Sequence, residues 1–245
     1  MFMTKEKIQL KNWALSIVIK RALFGHKTRK IIPWKIRYSK IFDRDFDAEK
    51  YVLNKRMKWN KIIDTIIKHS PKKGKVLEAG CGTSALAIWL GNNGFNTFAL
   101  DTDSEILRIA STLNKKTNSR VRYKKGSLVK IPFKDQTFDI IFSHGSLEHF
   151  NTKEIQEAIN EGLRVADKYV FGVPTIFDVS NCLRGDEFLT TYFQWKKIIS
   201  RSEGYIIDSY ASFPFHRILE KINLFFGSKL TWISPTIIFV VKSKK

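Results

Sequence analysis

Val76-Leu77-Glu78-Ala79-Gly80-Cys81-Gly82-Thr83-Ser84-Ala85 is an apolar run that enters a turn with two glycines and leaves it as a helical pattern. Gly80 and Gly82 permit a tight turn and let main-chain N–H groups approach a ligand closely, at the carboxyl edge of a sheet where open α/β folds bind ligands. Twenty-one residues beyond Gly80, Asp101 ends the next apolar run. A carboxylate there can accept both hydroxyls of a ribose, the reason nucleoside cofactors need an acid at that spacing. Glu78 narrows the reading. An acid two residues before the first glycine repels a pyrophosphate but suits a ligand carrying an ammonium and a sulfonium group.

Outward from this segment, short apolar runs alternate with helical patterns, which signals βαβ units and a mostly parallel sheet. The runs read as strands are Lys75 to Ala79, Phe95 to Leu100, Arg120 to Lys125, Phe138 to Ser143, Lys168 to Val173, Tyr205 to Tyr210 and Thr236 to Val241. Helices are expected over Ser84 to Leu90, Ser104 to Leu113 and Thr152 to Val165, the last with Asn151 and Glu154 at the spacing of a capping box. Ahead of them, Tyr51, Trp59, Ile62, Ile63, Ile66 and Ile67 recur at steps of three and four, which predicts one amphipathic helix from Asp47 to His69, ended by Pro71 and Gly74. The expected fold is α/β: a Rossmann-like seven-stranded, mostly parallel sheet with helices on both faces and a helical N-terminal extension. The division expected is a basic aromatic extension over 1–46 and the α/β domain over 47–245.

The order of motifs resembles the class I S-adenosylmethionine-dependent methyltransferases, in particular the type 11 group that acts on small molecules. Glu78 to Thr83 is similar to their first motif, and Leu100-Asp101-Thr102-Asp103 to their second-strand acid. Gly126-Ser127-Leu128 resembles the segment lining the adenine, and Phe138 to Phe150 the fourth strand with the loop below the methionine. The resemblance implies S-adenosylmethionine as cofactor, with Gly80 and Gly82 making the turn and Asp101 holding the ribose. It implies Glu78 and Ser143 along the methionine, and Ser127 with Leu128 beside the adenine. Two positions depart from the pattern: Ser84 stands where the third glycine is usual, and Ser127 where an Asp is common.

The reaction so implied is in-line transfer of a methyl group to a small or lipid-like acceptor, for which alignment and exclusion of water matter more than a dedicated base. His144 and His149 stand on the loop after the fourth strand, where a base would be needed; each has a bland alternative, packing for His144 and orientation of the loop for His149. Their spacing matches no metal signature, and no metal is expected. Two alternatives stay open: a methyltransferase-like binding or scaffolding protein without turnover, and an NAD-dependent oxidoreductase resting on the Gly-x-Gly-x-x-Ala turn alone.

The 245 residues carry 43 Lys and Arg against 23 Asp and Glu, net +20, and residues 1 to 75 hold 21 basic and 6 acidic of these. That excess raises two partners, nucleic acid and an anionic membrane surface. Nucleic acid is disfavoured: Ser143-His144-Gly145-Ser146 replaces the Asp/Asn-Pro-Pro-aromatic motif of exocyclic-amine DNA methyltransferases, and neither Cys81 nor Cys182 follows a proline. A compositional origin also stands, since Lys outnumbers Arg 31 to 12. Two cysteines form no disulfide framework and suit a reducing, cytoplasmic compartment. The stretch Asn12 to Ile19 is too short to span a bilayer. Two segments are expected to shape the acceptor pocket: a lid-like loop over 178–191 and a Phe-rich insertion over 213–230, read as core, acceptor channel or membrane contact.

Overall fold

The computed structural model describes Ile36 and residues 38–178, 187–212 and 234–244. The Phe-rich insertion, Cys182, residues 179–186 of the lid-like loop and most of the N-terminal extension lie outside the described residues.

Seven strands form one sheet: β1 (Lys75–Ala79), β2 (Asn96–Asp101), β3 (Arg122–Lys125), β4 (Phe138–His144), β5 (Ala166–Pro174), β6 (Gly204–Ser212) and β7 (Thr236–Ser243). Their order is β3-β2-β1-β4-β5-β7-β6, parallel from β3 through β5, with β7 antiparallel to both neighbours. Chain order reverses between β1 and β4, so a crevice opens there at the carboxyl ends of the strands. Every expected strand is present, with ends moved by at most two residues.

Both faces of the sheet are covered along β1, β4, β5 and β7, which is why those strands read as near-continuous apolar runs. Along β4 and β5, Ile141, Tyr169 and Phe171 pack with Trp195 and Ile159 on one face, while Ile140, Phe142 and Val170 pack with Ile62, Ile63 and Ile66 on the other. On the first face lie α5 (Thr152–Val165) and α6 (Tyr192–Ser200). The second face carries α1 (Ala48–Lys58), α2 (Asn60–His69), α3 (Ala85–Asn92) and α4 (Ser104–Lys116). Caps fix the starts. Asn151 and Glu154 form the expected capping box on α5, Thr191 and Gln194 form another on α6, and Asp47 and Asp103 cap α1 and α4.

The single helix expected from Asp47 to His69 is two helices. The break falls at Trp59, which leaves helical geometry at φ −112° and ψ 34°. Each half serves a different surface: Ala48 and Val52 of α1 join a cluster with Ile88 and Ile109, whereas Ile62, Ile63 and Ile66 of α2 lie under β1, β4 and β7, with Ile67 exposed. A continuous hydrophobic period cannot report such a division, because the bend is imposed by tertiary packing. Ile41, from the segment expected as an extension, is buried in the α1 cluster.

Candidate active site

The β1 turn is built by positive backbone dihedrals at Gly80 (φ +69°), Gly82 (φ +51°) and Ser84 (φ +53°). The Gly80 and Cys81 N–H groups both donate to the Leu100 carbonyl, which ties the turn to the end of β2. Gly80 also needs its missing side chain, since a Cβ would collide with the Ser146 hydroxyl, itself donating to the Gly80 carbonyl at 3.3 Å. Ser84 occupies the left-handed region that favours glycine. Its hydroxyl is held at 2.8 Å from the Tyr123 hydroxyl, which in turn donates to the Ala110 carbonyl at 3.1 Å.

Two carboxyl groups flank the turn. Glu78 is buried, with Oε2 accepting the Ala87 N–H at 3.0 Å. Burial pushes its pKa up to about 8, Asp101 adding to the effect and the Ala87 N–H and Lys55 opposing it. Asp101 accepts the Gly82 N–H on Oδ2 at 3.1 Å and the Asp103 N–H on Oδ1 at 3.2 Å; burial raises its pKa against those bonds. Cys81 between them is a free, buried thiol with its pKa pushed well up by burial.

Glu78, Gly80, Gly82, Asp101 and Leu128 border one cavity of about 580 Å³, within the size range of sites for small molecules and cofactors. Residues 76–168, which contain all of these, match the family model described as a methyltransferase domain. Over these residues the chain carries a methyltransferase domain, similar to those of the class I S-adenosylmethionine-dependent family.

Methyltransferases are among its relatives. An uncharacterized methyltransferase of Schizosaccharomyces pombe is 30% identical over 98 residues, covering 34% of this chain and 34% of its own. A ubiquinone biosynthesis O-methyltransferase of Rickettsia akari is 29% identical over 91 residues, 36% of either chain. The chain thus spans about a third of the length of these relatives. Among solved structures, an S-adenosylmethionine-dependent methyltransferase from Clostridium acetobutylicum superposes with a TM-score of 0.60 at 14% identity, covering 86% of this chain and 97% of that one. At that identity the likeness shows the fold.

The remaining expected residues of the methyltransferase domain divide. His144 and His149 line the cavity. His144 follows Ile140 and Phe142 on the strand face turned to α2, where its ring meets the Trp59 ring edge-on at 4.0 Å between centroids. Burial, with Lys58 and Lys55 nearby, lowers its pKa to about 3, so the ring is neutral at any physiological pH, and its Nδ1 is buried without a hydrogen-bond partner among the described residues. Ser143 and Ser127 lie elsewhere. The Ser143 hydroxyl is buried against the Tyr169 hydroxyl at 2.9 Å, on the opposite strand face from His144. The Ser127 hydroxyl accepts the Val129 N–H at 3.3 Å, closing a local turn.

Several cavity residues were not singled out from sequence. Lys55, Lys58 and Trp59 reach it from the junction of α1 and α2, and Tyr38 from ahead of α1; Glu148 also lines it, as do Asp178 and Glu187 of the loop expected to shape the acceptor pocket. Only Trp59 left a signal, as a large aromatic between Lys58 and Asn60 where the helix breaks. Among the described residues no cluster of His, Cys, Asp or Glu could hold a metal ion, and no helix is long and apolar enough to cross a membrane.

Proposed function

We propose that the protein transfers the sulfonium methyl of S-adenosylmethionine to a small or lipid-like acceptor. One observation carries the reading: a buried carboxyl, Glu78, stands beside a glycine turn whose second glycine is held by Asp101, and all of them border one cavity. That donor set fits the cofactor. Glu78 faces the ammonium and sulfonium end, Asp101 takes the ribose hydroxyls, and Leu128 offers an apolar wall for the adenine. Gly80 and Gly82 leave room that a side chain would fill. Bound there, the cofactor supplies an electrophilic methyl group; the chain supplies alignment and exclusion of water.

The neutral ring of His144, with an unpartnered Nδ1, can accept a hydrogen bond but holds a proton too weakly to act as a strong base. This favours an acceptor atom that needs little deprotonation, such as an amine or an activated carbon. Ser143 and Ser127 would act on the site indirectly, by fixing the ends of β4 and the turn before Leu128. Residues 1–46 would form an extension that caps the cofactor, with Tyr38 at its inner end, and 47–245 the catalytic domain. The lipid-like class of acceptor rests on the Phe-rich 213–230 segment, and an anionic membrane surface as partner rests on the basic N-terminal third.

The test is transfer of label from methyl-labelled S-adenosylmethionine to a panel of amine, hydroxyl and apolar acceptors. Transfer that disappears in Glu78→Ala, in folded protein, supports the proposal. Cofactor binding without transfer to any class would leave a binding protein.

A further inference from the structure

The amino-terminal edge of the sheet, at the other end of the strands from Glu78 and Asp101, holds a second cleft of about 450 Å³. It lies between the turn from α3 to β2 and the turn from α4 to β3, and its polar wall is Asn92, Asn96, Asn118, Arg120 and Arg122. Val121 is buried in the core, so the alternation of extended chain turns Arg120 and Arg122 together to the other side. The Arg122 guanidinium is set in place: Nη2 donates to Asn96 Oδ1 at 2.7 Å, and its plane lies over the Phe98 ring at 4.4 Å. Arg120 is exposed and makes no hydrogen bond or ion pair among the described residues.

The rest of the cleft is electrostatically permissive to an anion. None of the described residues lining it is acidic. The carboxyl end of α3 borders it, but its last carbonyls are taken by the N–H groups of Asn93, Gly94 and Phe95. Behind Gly91, where a Cβ would stand 2.8 Å from the Thr97 hydroxyl and 3.3 Å from that of Ser119, the Ser119 Oγ is buried without a partner among the described residues.

We infer that this cleft binds the phosphate ester of a hydroxyl-bearing small molecule, of the class of a phosphosugar or mononucleotide. Arg120 and Arg122 hold the phosphate, for which the guanidinium fork is the best-matched side chain. The amides of Asn92, Asn96 and Asn118 meet hydroxyls, and Phe95 supplies an apolar wall. The site is separate from the cofactor cavity and does not depend on the proposed reaction.

Calorimetric titration of the full chain with ribose 5-phosphate and uridine 5′-monophosphate tests this, with ribose, uridine and inorganic phosphate as controls. The phosphate esters are expected to bind without competing with S-adenosylhomocysteine, and the neutral compounds to give no heat. Arg120→Gln, which disturbs no contact among the described residues, weakens ester binding by about tenfold or more, while Lys124→Gln on the neighbouring exposed surface leaves it unchanged. Equal affinity in Arg120→Gln overturns the inference, as does an absence of ester binding in folded protein. Binding of inorganic phosphate as tight as the esters overturns it in favour of an adventitious ion only, and binding confined to long oligonucleotides overturns it in favour of a nucleic-acid surface.

Discussion

Asp101 holds Gly82: its Oδ2 accepts the Gly82 N–H at 3.1 Å, so the acid that ends β2 fixes the glycine turn that ends β1. The same carboxylate is the group placed to take ribose hydroxyls. Asp101→Ala therefore removes a ligand contact and loosens the turn together, and is expected to weaken S-adenosylhomocysteine about tenfold to hundredfold, the scale of hydrogen bonds to a charged group. Calorimetry on folded protein measures this, and unchanged affinity contradicts the assignment.

Glu78 makes binding and stability depend on pH in opposite senses. Its carboxyl is raised to about 8 by burial, so in ligand-free protein the neutral form is favoured, and stability is lost as pH rises from the ordinary carboxylate range through that value. A bound sulfonium and ammonium favour the ionised form. S-adenosyl ligands should then bind more tightly as pH rises toward about 8 and release a proton on binding below it. Titrations in buffers of different protonation heat read the proton directly. Glu78→Gln should abolish the release and flatten the fall in stability; His144→Asn, whose native ring is already neutral, should leave the release unchanged.

Ser84 and Tyr123 carry the departure from the usual third glycine. A serine at φ +53° is strained relative to glycine, and its hydrogen bond to Tyr123 offsets that. Ser84→Ala keeps the strain and loses the bond, so it should be less stable than Ser84→Gly, while Tyr123→Phe should cost about 1–2 kcal/mol. Denaturant unfolding gives the order, and Ser84→Ala equal to wild type would contradict it.

The motifs that decided the fold were legible because they force residue types: glycines where φ is positive, an acid where N–H groups converge, apolar runs where strands are covered twice. Asn151 and Glu154 were legible for the same reason, as a local hydrogen-bond pattern. What escaped depends on tertiary packing. The bend at Trp59, which brings Lys55 and Lys58 to the cavity, leaves the hydrophobic period of α1 and α2 unbroken. Ser143 could have been placed, since it shares the strand face of Ile141 and that face is core. The resemblance assigned it to the methionine, and the alternation along β4 instead sets it against Tyr169.

Arg164 positions the segment that carries Leu128. Its guanidinium donates to the Ile131 and Phe133 carbonyls, each at 3.0 Å, while pairing with Glu161 and Asp135 at 2.7 Å. Arg164→Ala leaves those carbonyls without their donor, and is expected to cost about 1–3 kcal/mol and to weaken adenosyl ligands while leaving the Glu78 proton release in place. Urea unfolding and calorimetry test the two effects separately.

The central claim is that the Glu78–Asp101 cavity is an adenosyl-cofactor site, and calorimetric titration of the purified protein with S-adenosylmethionine, S-adenosylhomocysteine and NAD tests it most directly. Micromolar binding of the two adenosyl compounds, with none of NAD, is the predicted result. Binding of NAD in their place, or of none of the three by folded protein, would contradict it.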